Sequence, residues 1–213
     1  MITLKIDPIN PNILTIRTAV DALKRGELVV FPTETVYGLA ADAFNNAAVK
    51  AVFEAKGRIE RQPLPVQVGS VKEIFKVVEY LSPEAERLAE LFWPGQLTVI
   101  LPKAAGLPTL VTGGGTTVGV RIPDHPVALA LLTEFGGPIV ATSANVTGQP
   151  APATAAEAIG EVGENVAVVL DGGRSRLGVA STVVDMTVTP PKIVRQGSVD
   201  VEQVRKVLGE VEV

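Results

Sequence analysis

Where apolar runs end in this chain, small hydrogen-bonding side chains and cations follow. In GGPIVATSANVTGQPAP the run Ile139–Ala141 gives way to Thr142, Ser143 and Asn145 before Pro150 and Pro152. Ligands of open α/β sheets collect at the carboxyl ends of strands, and a hydroxyl and an amide there can orient phosphate oxygens or a carbonyl. The same pair serves equally well in a turn where both bond the local backbone. In AVKAVFEAKGR, Lys56 follows Val49, Val52 and Phe53 by seven, four and three residues, which puts it on the apolar face of its own helix. It is either a cation aimed inward along a cleft or one that complements the helix C-terminus and snorkels. Arg58 and Arg61 concentrate positive charge at that helix end. In VVFPTETVYGLAAD, an extended backbone past Pro32 would bring Thr33, Thr35 and Tyr37 onto one face. That row of hydroxyls fits a ligand or a solvent-facing edge strand. Thr116, Thr117 and Arg121 follow the glycines 113–115, and Ser181, Thr182 and Arg195 stand near further strand ends.

Composition removes much alternative chemistry. Zero cysteines among 213 residues exclude disulfides, thiolate nucleophiles and cysteine-held metals. The one histidine, His125, reads as a helix-start residue ahead of Pro126, so serine–histidine triads and multi-histidine metal sites lack material. The net charge of −4 gives no global attraction to nucleic acid. No G-x-x-x-x-G-K-[ST] occurs and no G-x-G-x-x-G precedes a helix, so a nucleotide would be held without either common phosphate loop. The opening MITLKIDPIN lacks signal-peptide regions, and no apolar segment approaches the ~18 residues of a membrane span. The expectation is a soluble, cytoplasmic protein.

The elements that must position these residues follow from periodicity. Ile16, Ala19, Val20 and Leu23 predict a helix that stops before Gly26, and the run containing Val49, Val52 and Phe53 predicts one ended by Gly57. Ser82 caps a helix with Pro83 in its first turn, a further helix covers Pro126–Phe135, and Thr154 with Glu157 and Asp200 with Gln203 form capping boxes for two more. LVVF, LPVQV, LTVIL, TVGVRI, PIVA, VAVVL and STVVDM read as strands. Ala104–Thr117 is the longest stretch without periodicity. Interleaving without clean alternation predicts an α/β or α+β fold with an open, twisted, mixed sheet.

Seven segments together resemble the threonylcarbamoyl-adenylate synthase family of the YrdC and Sua5 type: FPTETVYGLAADAF, AKGRIERQPL, FWPGQLTVIL, TVGVRIPDHPVALALL, ATSANVTGQPAP, DGGRSRLGVASTVVD and IVRQGSV, in the family's order. The resemblance implies a YrdC-like fold with a large concave cleft over 1–213, one catalytic domain without the extra C-terminal domain of the longer members. It implies condensation of L-threonine, bicarbonate and ATP to threonylcarbamoyl-AMP and pyrophosphate, feeding a downstream transferase that modifies adenosine 37 of tRNA. The family's K-x-R and S-x-N signature falls on Lys56, Arg58, Ser143 and Asn145, as catalytic residues. Thr35, Gln67, Arg121 and Ser181 match threonine-binding positions, while Lys56, Arg58, Gln62, Thr117, Ser143 and Arg195 match nucleotide-binding ones. Mg²⁺ is expected to be held by the substrate phosphates and not by protein side chains. The chain departs from the family at Gln67, where histidine is common, at Gln62, where asparagine or lysine is common, and at Gln96, where proline is usual. A weak tRNA contact is compatible with this reading, while a non-catalytic RNA-binding module and a carbamoyl-adenylate step of hydrogenase maturation are the rival expectations.

Overall fold

The computed structural model describes residues 1–213. Its strands are β1 (Ile2–Lys5), β2 (Val29–Phe31), β3 (Gly38–Asp42), β4 (Val66–Gln67), β5 (Leu97–Pro102), β6 (Thr117–Arg121), β7 (Ile139–Ser143), β8 (Val168–Asp171), β9 (Thr182–Asp185) and β10 (Lys192–Arg195). They form one sheet in the order β1-β8-β2-β3-β7-β4-β6-β5-β9-β10, with parallel and antiparallel pairs mixed. The helices are α1 (Ile13–Lys24), α2 (Asn46–Lys56), α3 (Val71–Ile74), α4 (Pro83–Phe92), α5 (Pro126–Phe135), α6 (Ala155–Val162) and α7 (Val201–Leu208).

The expected strands are all present, and β1, β3 and β10 add to them. GLAAD has no β-branched residue, yet β3 pairs on both edges, with β2 and β7, and is held by burial instead of propensity. The helix ends follow their sequence signals. Gly57 closes α2 in the left-handed conformation at φ 55, where only glycine sits without strain. Ser82 caps α4, and both capping boxes form, at Thr154–Glu157 and Asp200–Gln203. His125 caps α5, its Nδ1 accepting the Val127 N–H at 3.2 Å. No helix is long and apolar enough to cross a membrane.

Alternation along the strands explains the architecture. On β2, β3, β7 and β8, Val30, Leu39, Ala41, Val140 and Val169 join one buried cluster while Val29, Phe31, Ala40, Ile139, Val168 and Leu170 join the other. Burial on both faces is why these strands read as unbroken apolar runs. The first cluster continues under β4, β6, β5 and β9 through Val66, Val118, Val120, Leu97, Val99 and Val184. The second ends with α1 and α5, whose Ile16, Val20, Leu23, Val127 and Leu131 cover only one half of the sheet. On the other half, the alternate residues Gln67, Thr98, Ile100, Gly119, Arg121 and Val183 face a cleft.

Candidate active-site cleft

The cleft, about 510 Å³, lies on that uncovered half, and the Thr33–Gly38 segment between β2 and β3 and the Ala141–Ser143 end of β7 complete it. Arg58, Arg121 and Arg195 line it, and no Asp or Glu does. A chain of net charge −4 thus presents a positively charged hollow. Arg58 and Arg195 feel one another: burial lowers the Arg58 pKa from its ordinary value, and the charge of Arg195 lowers it further.

Arg121 ends β6 deep in the cleft, 5% exposed. Its Nε donates to the Gly95 carbonyl at 2.8 Å, Nη1 to Thr35 Oγ1 at 3.0 Å and Nη2 to Glu34 Oε1 at 2.6 Å. A guanidinium has five N–H donors, so two remain for a ligand after these three bonds. Glu34, 1% exposed, is the buried counter-charge.

A second hydroxyl group stands across the sheet. Thr98 Oγ1 and Ser181 Oγ are 2.8 Å apart, and Arg195 Nη2 donates to Ser181 Oγ at 3.2 Å and to the Ser181 carbonyl at 2.9 Å. Thr98 is the polar interruption in the apolar run LTVIL, a signal that strand alternation turns toward the cleft face. Gly197 closes this corner: a Cβ on it would come within 2.2 Å of the Ala180 carbonyl oxygen and 2.4 Å of the Ser181 carbonyl carbon. Both are backbone atoms that cannot step aside. Gly197→Ala should therefore cost about 1–3 kcal/mol and displace Ser181, which urea denaturation checks; a loss under a few tenths would show that the β9–β10 end yields.

Of the residues singled out from sequence, Thr33, Thr35, Tyr37, Arg58, Gln67, Arg121, Thr142, Ser143, Ser181 and Arg195 line this cleft. Arg58 is half-buried and pulled back onto its own loop, Nη2 donating to the Pro63 carbonyl at 2.9 Å. Arg195 is exposed at the rim. Gln67, 6% exposed, has its Oε1 buried without a partner.

The others sit elsewhere. Lys56 points inward as its spacing implies but stays behind the cleft wall, 2% exposed, with Nζ donating to the carbonyls of Ser143 and Asn145, each at 2.5 Å. Burial first, then Arg58, pushes its pKa down to about 8, against a raising effect of Glu161. Asn145 serves the local turn, Nδ2 donating to the carbonyls of Val146 at 2.9 Å and Gln149 at 2.8 Å. Gln62 is an exposed turn residue, and Thr117 shares the cleft face of β6 but lies beyond its lining.

The extended row Thr33–Thr35–Tyr37 is not formed. The segment bends, because Thr33 Oγ1 bonds both Thr35 Oγ1 and the Val36 carbonyl and so ties the chain into a turn. The Tyr37 hydroxyl leaves the other two and donates to the Gly173 carbonyl at 2.5 Å. Its pKa rises to about 12, through burial first and then Asp171. Spacing did not disclose Glu34 or Thr98. The cleft's side chains, guanidinium groups and hydroxyls without a carboxylate, do not fit a divalent cation by themselves.

The family model of Sua5, YciO and YrdC, described as telomere recombination, matches residues 21–197. Over 198 residues the chain is 43% identical to the threonylcarbamoyl-AMP synthase of Pyrococcus abyssi, covering 93% of this chain and 58% of that protein. It is 43% identical over 192 residues to a putative threonylcarbamoyl-AMP synthase of Mycobacterium tuberculosis (strain ATCC 25618 / H37Rv), covering 90% of this chain and 88% of that protein. The crystal structure of P. abyssi Sua5 complexed with L-threonine superposes with a TM-score of 0.96 at 41% identity, over 100% of this chain and 62% of that one. The chain thus spans less than two thirds of the Pyrococcus proteins and most of the mycobacterial one.

Proposed function

The chain belongs to the Sua5/YciO/YrdC family, and from that membership and the cleft we propose that it joins L-threonine, bicarbonate and ATP into L-threonylcarbamoyl-AMP, releasing pyrophosphate. The observation that carries this reading is an open cleft lined by three arginines, by the hydroxyl pairs Thr33–Thr35 and Thr98–Ser181 and by no carboxylate. The L-threonine bound to the Pyrococcus relative supports an amino-acid site.

In the proposed reaction the threonine amine attacks carbon dioxide and releases a proton to solvent, or attacks bicarbonate with loss of water, as the N–C bond of the carbamate forms. A carbamate oxygen then attacks the α-phosphorus of ATP in line, forming the new P–O bond as the bond to pyrophosphate breaks. No covalent bond to the protein forms, which suits a chain without cysteine. The obstacle is electrostatic, since an anion must approach a polyanion, and fixed positive charge removes it without reorganisation. Arg58 and Arg195 serve the nucleotide, and Ser143 orients a phosphate oxygen. Arg121 gives its two remaining N–H groups to the threonine carboxylate. Lys56 acts from behind the wall: it holds the carbonyls that flank Ala144 and so fixes the turn presenting Ser143. The triphosphate itself would hold Mg²⁺, which would neutralise part of its charge, with no ligand from these side chains. The product, a reactive mixed anhydride, passes to a transferase acting on tRNA.

Incubating the purified protein with L-threonine, bicarbonate and ATP should yield threonylcarbamoyl-AMP by mass spectrometry. Its absence, with ATP left intact, would refute the reading. L-serine differs by one methyl and should be disfavoured by only about 1–3 kcal/mol in kcat/KM, which pyrophosphate release measures for each amino acid.

A further inference from the structure

Each hydroxyl in the cleft owns one proton, and the fixed acceptors around it show where that proton goes. Thr33 Oγ1 lies 2.6 Å from the Val36 carbonyl oxygen, which can only accept, so Thr33 donates there. The backbone N–H groups of Thr35 and Val36 also reach Thr33 Oγ1, each at 3.3 Å, and are the weaker approaches; in the 2.8 Å contact between Thr33 Oγ1 and Thr35 Oγ1 the Thr33 proton is already committed, so Thr35 is the donor. Arg121 Nη1 donates to Thr35 Oγ1 at 3.0 Å. Thr35 is left with a lone pair and no proton, so a group meeting it from the cleft must bring one. Gln67 stands opposite Arg121 in the β4–β6 register and adds a buried, unpartnered Oε1.

The Thr98–Ser181 pair has the opposite sense. Two hydroxyl protons share one bond, and Ser181 Oγ also accepts from Arg195, so the pair keeps one O–H to give. Beside it stand the uncommitted N–H groups of Arg121 and Arg195. Carboxylate or phosphate oxygens suit that side and do not suit Thr35.

We infer that Thr33 is a positioning residue that sets substrate specificity: by taking the proton of Thr35 it makes the Thr35–Gln67 side a subsite for a proton donor, the β-hydroxyl of the amino acid. The inference rests on the threonine reading above. Thr33 touches no substrate; it acts through Thr35.

The test is amino-acid-dependent pyrophosphate release with L-threonine, L-valine and the threonine analogue carrying fluorine in place of the hydroxyl. Fluorine fills the space but brings no proton. In the unmodified protein the fluoro compound should fall within about threefold of valine, both roughly 100-fold or more below threonine in kcat/KM. A fluoro compound tenfold better than valine would show Thr35 donating and overturn the inference, with no variant required. Thr33→Val removes the hydroxyl at constant shape and should shrink the preference for threonine over valine by about tenfold or more, chiefly through KM, while Thr33→Ser restores it. Unaltered preference in Thr33→Val, or equal loss for both amino acids, overturns it too. Should the unmodified protein show no amino-acid-dependent release at all, the threonine reading itself fails, an outcome separate from these.

Discussion

Glu34→Ala should destabilise the folded protein by about 3–5 kcal/mol, because it strips the counter-charge from a guanidinium buried beside it. The pair is 2.6 Å apart, with side chains 7% and 1% exposed, so water cannot replace the carboxylate. Guanidinium chloride denaturation at neutral pH checks this, and a loss below about 1 kcal/mol would mean that the pair behaves as a surface ion pair. Removing both charges, as Glu34→Met with Arg121→Met, should recover most of the stability. It should not recover binding of L-threonine, since the two N–H groups assigned to the carboxylate go with the guanidinium. Calorimetric titration separates the two effects, and undiminished binding in the double variant would remove Arg121 from the amino-acid site.

Lys56→Met should lower turnover at saturating substrate by about tenfold or more, each 1.4 kcal/mol of lost transition-state stabilisation being a factor of ten. The ammonium joins the end of α2 to the exit of β7 through the carbonyls of Ser143 and Asn145, and methionine keeps the length but none of the donors. The pH profile distinguishes this charge from mere filling of space. With the Lys56 pKa at about 8, the ammonium is lost as pH rises through that value, so turnover should fall there. The Lys56→Met profile should lack that limb. Stability should move the other way. The folded pKa lies below the ordinary 10.5, so the unfolded chain binds more protons between about 8 and 10.5, and this residue's contribution grows as pH rises across that window. A Lys56→Met protein with unchanged turnover would leave Lys56 a buried structural cation. Arg58→Ala should show a similar fall in kcat, since Arg58 lines the cleft itself, but should keep the limb, moved to higher pH because the Arg58 charge that lowers the Lys56 pKa is gone.

Local spacing was enough for the helix ends and for strand alternation, though not for the Thr33–Val36 turn, which replaces the expected extended row. Caps at Ser82, Thr154 and Asp200 satisfy amides two or three residues away. Alternation in TVGVR and LTVIL separates a core face from a ligand face, because successive side chains of a strand point oppositely whatever the strand pairs with. The inward direction of Lys56 follows from helical geometry in the same way. Motifs distributed along the chain carried the family.

What spacing could not carry is which distant groups meet. Glu34 and Arg121 are 87 residues apart, and Thr98 and Ser181 are 83 apart; each meeting depends on strand order, the second because β5 pairs with β9, and the first because β7 and β4 set the end of β6 within reach of the β2–β3 connection. That order reflects the summed burial on two faces, with α1 and α5 covering one half of the second face and leaving the rest open. Asn145, two residues after Ser143, turned to its own loop while Ser143 stayed in the cleft wall, because the chain leaves β7 at Ser143 and alternation stops with it. The chain's residue types define what chemistry is available, but proton direction at Thr35 depends on a carbonyl, a hydroxyl and a guanidinium that only folding brings within 3.0 Å of one another's partners.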